Sequence, residues 1–210
     1  MARLNNDMFA CGRQGLPHQF FNSHQKWTLQ HIFKHDFFAC TGLYHCSETN
    51  QQCVLKMSRL QSFMGIPTAW LGHFLRNREL TILRRLEEVD QTPRLLGVFG
   101  KNGLIYEYID GQSLDEKPSL KEDFFESLEE LVKKLHERDV CYMDMNKRGN
   151  IIVGSDGRPY LIDFQISLFL PGVWCRRLRR AFQKEDLYHL LKHKRRFCPD
   201  RLTDDEWRRY

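Results

Sequence analysis

A polar loop, Cys141-Tyr142-Met143-Asp144-Met145-Asn146-Lys147-Arg148-Gly149-Asn150, runs into the apolar triplet Ile151-Ile152-Val153. The turn Gly154-Ser155-Asp156-Gly157 follows, and then a second apolar run, Tyr160-Leu161-Ile162, which delivers Asp163. Two short apolar runs joined by a Gly/Asp-rich turn predict a β-hairpin. Such a hairpin sets Asn150, at the end of the loop, beside Asp163, at the end of the second strand. Asp144, Asn150 and Asp163 thereby converge on one small volume. Oxygen ligands of this kind suit Mg²⁺, which takes one or two carboxylates and leaves its other positions to substrate phosphates. The plain alternative is an ordinary hairpin carrying surface carboxylates.

Asp144, Asn150 and Asp163-Phe164-Gln165 resemble the catalytic loop and the Asp-Phe-Gly segment of the protein-kinase fold. The likeness is greatest to compact bacterial RIO-like and lipopolysaccharide-kinase-like phosphotransferases. Two departures stand out: Tyr142-Met143 occupies the place of the eukaryotic His-Arg, and the gap from Asp144 to Asn150 is one residue longer than usual. A lengthened loop and a Gln after Asp-Phe also occur in bacterial RIO-like kinases, so both read as subfamily traits. The resemblance implies an α+β, two-lobed protein-kinase-like fold. Its N-lobe is an antiparallel sheet with one helix, and its C-lobe is reduced and mainly helical.

A chain of 210 residues with 41% hydrophobic content is able to bury a core, as one domain or two small lobes. No apolar run reaches the roughly 18 residues of a membrane span, and the N-terminus lacks the pattern of a secretory signal. A cytoplasmic protein is therefore expected. The seven cysteines form no CxxC pair, which favours reduced thiols over zinc or disulfides. A net charge of +5 fits an anionic substrate or surface.

Residues 1–26 are polar, with no sustained period, and read as an arm or an irregular packing segment whose Phe20-Phe21 docks on the body. Residues 27–109 are expected to form the N-lobe. Thr28–Phe33, Leu43–Cys46 and Gln52–Met57 alternate as three antiparallel strands. In the kinase resemblance, Lys56 matches the strand lysine that contacts the α- and β-phosphates. The phosphate-covering loop falls within Phe33–Tyr44, where Gly42 is the single glycine. A glycine-rich loop lets backbone N–H groups approach phosphate, and this one does so at few positions. Pro67 starts a helix running to about Glu88, with Leu71, Phe74, Leu75, Ile82, Leu83 and Leu86 at helical spacing. Glu79 falls on the same face, where a carboxylate needs a partner. Lys56 is the natural one, matching the Lys–Glu pair of kinases. Residues 94–99 and 104–109 read as a further hairpin leading to the hinge, with Glu107 and Ile109 as the implied adenine contacts and Tyr106 at the back of the pocket.

Residues 110–210 then make the minimal C-lobe. Lys121–Asp139 is the clearest helix, with Phe124, Leu128, Leu131, Val132 and Leu135 as its buried stripe. A second helix is expected from about Arg177 to Lys194, its Asp186 resembling the aspartate that holds the catalytic loop. Nine Lys/Arg between Trp174 and Arg196 follow the apolar run Phe169–Trp174. Together they make residues 169–196 a candidate for peripheral contact with the anionic inner face of a membrane. A solvated helix face is the alternative, and nucleic acid is the weakest option, since no recognised motif accompanies the charge.

The resemblance implies ATP- and Mg²⁺-dependent transfer of a phosphoryl group to a hydroxyl. Lys56, held by Glu79, positions the α- and β-phosphates, Asn150 and Asp163 hold Mg²⁺, and Asp144 takes the acceptor's proton. The RIO-like loop favours a serine/threonine protein kinase. The short C-lobe and the basic-apolar edge favour a glycolipid or small-molecule acceptor. The glycine-poor loop keeps a non-catalytic nucleotide-binding scaffold in view.

Overall fold

The computed structural model describes residues 9–12, 15–64 and 66–208. They divide into two compact units, one of residues up to Thr81 with Pro93–Tyr108, the other of Ile82–Thr92 with the residues from Ile109 onward. Of the expected arm, residues 1–8, 13 and 14 lie outside the described residues.

The first unit is built on a six-stranded sheet, ordered β1-β2-β3-β4-β6-β5. Its strands are β1 (Gln19–Asn22), β2 (Gln25–His35), β3 (Ala39–Cys46), β4 (Gln51–Ser58), β5 (Leu95–Phe99) and β6 (Gly103–Glu107), and every pairing is antiparallel. The three strands expected between residues 27 and 57 are present and longer than their apolar signal. Strand β1 was not expected, because four residues give too short an alternation to register. Phe20 of β1 is buried against Trp27, Tyr44 and Phe99, whereas Phe21 points out and is 72% exposed. Cys40, Cys46 and Cys53 lie in the same apolar cluster, where small apolar-like thiols pack well.

Helix α1 (Ala69–Arg85) starts just beyond Pro67, and Arg84 and Arg85 in its last turn complement the helix dipole. Its buried face consists of Gly72, Arg76, Glu79, Leu80, Ile82 and Leu83. Phe74, placed on that face by spacing alone, is 57% exposed. The stripe rotates because the backbone of Arg59 crosses the helix closely at Gly72, where an added Cβ would lie 2.1 Å from the Arg59 carbonyl oxygen.

In the second unit, β7 (Gly111–Ser113), β9 (Ile151–Gly154) and β10 (Pro159–Leu161) form one small sheet, and β8 (Val140–Cys141) pairs with β11 (Leu168–Phe169). The hairpin predicted from the turn at residues 154–157 is β9-β10, with Val153 opposite Pro159 and Ile151 opposite Leu161. Helix α2 (Phe124–Glu137) buries the predicted stripe together with Phe125 and packs on helix α3 (Arg176–Phe197). A last short helix, α4 (Asp204–Arg208), is opened by a reciprocal cap. The Thr203 N–H donates to Glu206 at 2.8 Å and the Glu206 N–H to the Thr203 hydroxyl at 3.2 Å. Among the described residues no helix is long and apolar enough to cross a membrane.

Candidate active site

Lys56 sits on β4, opposite Thr41 of β3 and Leu104 of β6, in the middle of the first unit's sheet. Its ammonium lies 2.9 Å from both carboxylate oxygens of Glu79, and the two side chains are only 4% and 2% exposed. The pair inferred from helical spacing is therefore present. A buried ion pair is weak as a stabilising device, because desolvation offsets most of the attraction. The contact holds the Lys56 ammonium rigidly in place on the strand.

Gly42 was implied as part of the phosphate-covering loop. It lies inside β3, and an added Cβ would meet Leu16 at 2.6 Å and Leu29 at 2.9 Å, so close packing requires the glycine. The β2–β3 turn, Asp36-Phe37-Phe38, contains no glycine. The N–H groups of Phe38 and Ala39, which a phosphate would draw on, already donate to Asp36 at 2.9 Å each. Arg59, fully buried, closes the turn from behind by stacking on Phe37 and donating to the Phe37 carbonyl at 2.8 Å. Glu107 ends β6, its N–H donated to the Arg94 carbonyl at 2.9 Å and its carboxylate 3.2 Å from the Arg94 guanidinium. Ile109 begins the second segment of the second unit.

In the second unit, Asp144 is 6% exposed. Its Oδ2 accepts from Asn150 Nδ2 and from Lys147 Nζ, each at 2.8 Å. Among the described residues Oδ1 has no such partner, which leaves it the atom able to take a proton. The loop closes on itself through Lys147 N–H to Asp144 O and Asn150 N–H to Lys147 O, both 3.1 Å. The Ile162 N–H donates to the Asn150 carbonyl at 3.0 Å, which brings Asp163 to the end of the same loop.

Buried Asp186 of α3 anchors the other side. Its carboxylate accepts the N–H groups of Tyr142 and Met143 at 2.8 Å each, and His136 of α2 approaches it at 3.0 Å. The resemblance implied this aspartate. The roles of Tyr142, Lys147 and Ser167 were not inferred. The Tyr142 phenol donates to the Ile162 carbonyl and its ring meets Phe164 edge-on, while Ser167 donates to the Tyr142 carbonyl at 2.8 Å. Burial pushes the Tyr142 hydroxyl well up, and the charges of Asp163, Asp144 and Asp186 add to this, so it stays a protonated donor. Opposite charges three apart were the available signal for Lys147. Tyr142 and Ser167 leave no local pattern, because their partners are backbone groups distant in sequence.

Met143 (φ 69°) and Asp163 (φ 59°) both adopt left-handed backbone. Each costs about 1–2 kcal/mol outside glycine, and such residues persist where surrounding contacts over-determine them. Here they bracket the loop that carries Asp144.

The donor set fits a hard divalent cation. Asp163 offers carboxylate oxygens, and Asn150, with its amide hydrogens turned to Asp144, offers an amide oxygen. Among the described residues no cluster of three or more His, Cys, Asp or Glu could hold a metal unaided.

No protein-family model and no curated protein matches the sequence. Among solved structures the chain is similar to the Rio2 kinase-ADP/Mg²⁺-phosphoaspartate complex from Chaetomium thermophilum, at TM-score 0.63 and 14% identity, covering 84% of this chain and 58% of that one. It is also similar to the Rio2 kinase from the same organism, at TM-score 0.61 and 16% identity over 80% of this chain and 58% of the other. The chain thus spans less than two-thirds of the length of these neighbours. The fold is the two-lobed α+β fold of the protein kinases, an antiparallel-sheet lobe and a mainly helical one.

Proposed function

We propose that the chain is a RIO-like, ATP- and Mg²⁺-dependent phosphotransferase that moves the γ-phosphoryl group of ATP to a hydroxyl. The observation that carries this reading is the loop from Tyr142 to Asn150. It is held by Asp186 on one side and by the β9-β10 hairpin on the other, and it presents Asp144, Lys147 and Asn150 with Asp163 beside them.

Lys56, fixed by Glu79, contacts the α- and β-phosphates. Asn150 and Asp163 would hold Mg²⁺, which would supply neutralisation of phosphate charge. Asp144 orients the acceptor hydroxyl and accepts its proton through Oδ1 as the new O–P bond forms and the bond from the γ-phosphorus to ADP breaks. Lys147, already on Asp144, offers a cation to the equatorial oxygens where charge spreads. Catalysis of this kind is positioning plus electrostatics. With the β2–β3 turn amides engaged by Asp36, phosphate binding falls mainly on Lys56 and the metal.

Asp144→Ala should abolish transfer and spare Mg·ATP binding, whereas Asp163→Ala should weaken Mg·ATP binding itself. Full turnover in Asp144→Ala would remove the assignment of the base. The lengthened loop favours a seryl or threonyl acceptor. The basic surface of α3 favours a small or lipid-borne hydroxyl.

A specific corner of the second unit supports a peripheral contact with an anionic phospholipid surface. Trp174 is fully exposed, Val173 is 80% exposed and Leu178 50% exposed. Arg176, Arg177, Arg180 and Lys184 surround them on exposed positions, and no acidic residue lies between Asp163 and Glu185. Arg179 is excluded from this set, because it pairs with Asp139 at 2.7 Å and donates to the Leu170 carbonyl at 2.8 Å, which pins the corner in place. An interfacial tryptophan flanked by basic side chains is the chemistry of membrane-surface binding. Co-sedimentation with vesicles containing phosphatidylserine should be strong at low salt and reduced in Trp174→Ala. No sedimentation even at low salt would remove this contact.

A further inference from the structure

The catalytic loop packs against the last turns of α3 through Lys192 and His193. There Asn146, Arg148, Lys192, His193, Arg195 and Arg196 line a cleft of about 430 Å³, a volume in the range of small-molecule sites. No carboxylate contributes to its wall. Lys192 Nζ donates to Asn146 Oδ1 at 3.1 Å, which ties the wall directly to the loop two residues after Asp144. His193, 3% exposed, meets the Met145 carbonyl at 2.8 Å and fixes the floor.

The charges of this cleft are under-compensated. Asp115 meets Arg148 at Nε, 3.0 Å away, while Arg148 Nη1 is closed to solvent and has no hydrogen-bond partner among the described residues. Lys192 and Arg196 have no carboxylate partner among the described residues, and Arg195 faces the ring of Trp207. Burial holds the His193 imidazole towards its neutral form. The Met145 carbonyl opposes this, and the charges of Arg148, His189 and Lys192 reinforce it. Part of this charge suits the end of a helix, where cations complement the dipole. That accounts for exposed side chains in the last turn of α3. It does not account for Arg148, which comes from the loop and buries a donor with nothing to receive it. A buried unsatisfied donor is costly, and a cationic cleft with a guanidinium fork is the usual receptor of a phosphomonoester.

We propose that this cleft is the acceptor subsite of the phosphotransferase, and that it takes a phosphomonoester group already present on a small hydroxyl-bearing acceptor. The inference rests on the phosphotransferase reading above. Arg148 and Lys192 grip the existing phosphate, Arg196 adds long-range attraction, and the acceptor's free hydroxyl is left to the Asp144 side of the same loop. The substrate class is thus a phosphorylated polyol or sugar, which the enzyme would phosphorylate a second time.

The test is equilibrium binding by calorimetry on the whole chain, with glucose 6-phosphate, glucose and inorganic phosphate as probes. The variant is Lys192→Ala with Arg196→Glu, two exposed changes whose thermal midpoint should match wild type. Glucose 6-phosphate should bind, glucose should not, and inorganic phosphate should bind more weakly than the sugar phosphate. The double variant should lose at least about tenfold, the scale of one charge-assisted hydrogen bond to an anion. Binding unchanged in the variant, or no sugar-phosphate binding by wild type, overturns the subsite. Inorganic phosphate binding as tightly as the sugar phosphate also overturns the acceptor role and leaves a free-anion site. Mg·ATP titration of the wild type forms a separate arm. Its failure would sink the phosphotransferase reading whatever the anion results, so the two failures are told apart.

Discussion

Lys56 and Glu79 show how far single residues are legible in an amino-acid sequence. Helical spacing put Glu79 on a buried face, electrostatics then demanded a cation, and the kinase resemblance pointed to Lys56. The 2.9 Å contact follows from that logic. The same physics makes a prediction. Lys56→Met strands a carboxylate that is 2% exposed and should cost about 3–5 kcal/mol, whereas Lys56→Met with Glu79→Leu should recover most of that loss. Urea titration of the three proteins decides it. A double variant as unstable as the single one would mean that the pair itself carries stability. Asp186 behaves differently, since its oxygens satisfy two buried backbone donors. Asp186→Ala should destabilise by about 3 kcal/mol and lower kcat more than it raises KM for ATP, because the loop bearing Asp144 loses its anchor. Equal kcat in Asp186→Ala would contradict a positioning role. Gly42 was singled out by the resemblance, whereas Leu16 and Leu29 in the space its side chain would take left no local signal.

Among the elements, α2 was the most legible because its stripe is continuous, and β9-β10 because its turn is spelled out in Gly and Asp. Short strands β7, β8 and β11 were not, since two or three residues carry no period and each owes its existence to a distant partner. The α3–α4 junction belongs to the same class, although Thr203-x-x-Glu206 was a readable capping box. Lys194 joins Glu206 at 2.8 Å and Glu126 at 2.9 Å. Burial alone would push the Glu206 carboxyl up, but the Lys194 ammonium and Thr203 outweigh it and hold the carboxyl below its usual range. Burial likewise opposes the charge of Lys194, and Glu206 and Glu126 outweigh it and raise its pKa. A depressed carboxylate contributes stability that is present above its unfolded pKa, about 4.3, and is lost as pH falls through the folded value. A raised ammonium contributes below about pH 10.4 and loses its contribution as pH rises through the folded value. The junction should therefore be intact at neutral pH and open in acid. Amide exchange at residues 204–208 should quicken below about pH 4, and Lys194→Met should show that fast exchange already at pH 7. Identical exchange in the two proteins at pH 7 would show that the ion pair does not hold α4.

Across the whole chain, the two-lobed fold was legible because residues resembling those of kinases are ordered along the sequence, from Lys56 through Glu79 to Asp144, Asn150 and Asp163. Alternation, helical spacing and turn composition placed the elements that carry them, and the resemblance singled out the residues. What stayed hidden depends on contacts between segments far apart in sequence, such as Arg59 closing the β2–β3 turn, Ser167 and Tyr142 bracing the loop, and the cleft that Arg148 and Lys192 share. Mg²⁺-dependent phosphoryl transfer by the loop and hairpin of the second unit is open to a direct assay. The whole chain and its Asp163→Ala variant are incubated with γ-labelled ATP and Mg²⁺, and label is followed on protein and as free phosphate. The wild type should transfer label to itself or to water only when Mg²⁺ is present, and the variant should fall to background. Equal transfer by both proteins would contradict the proposed chemistry.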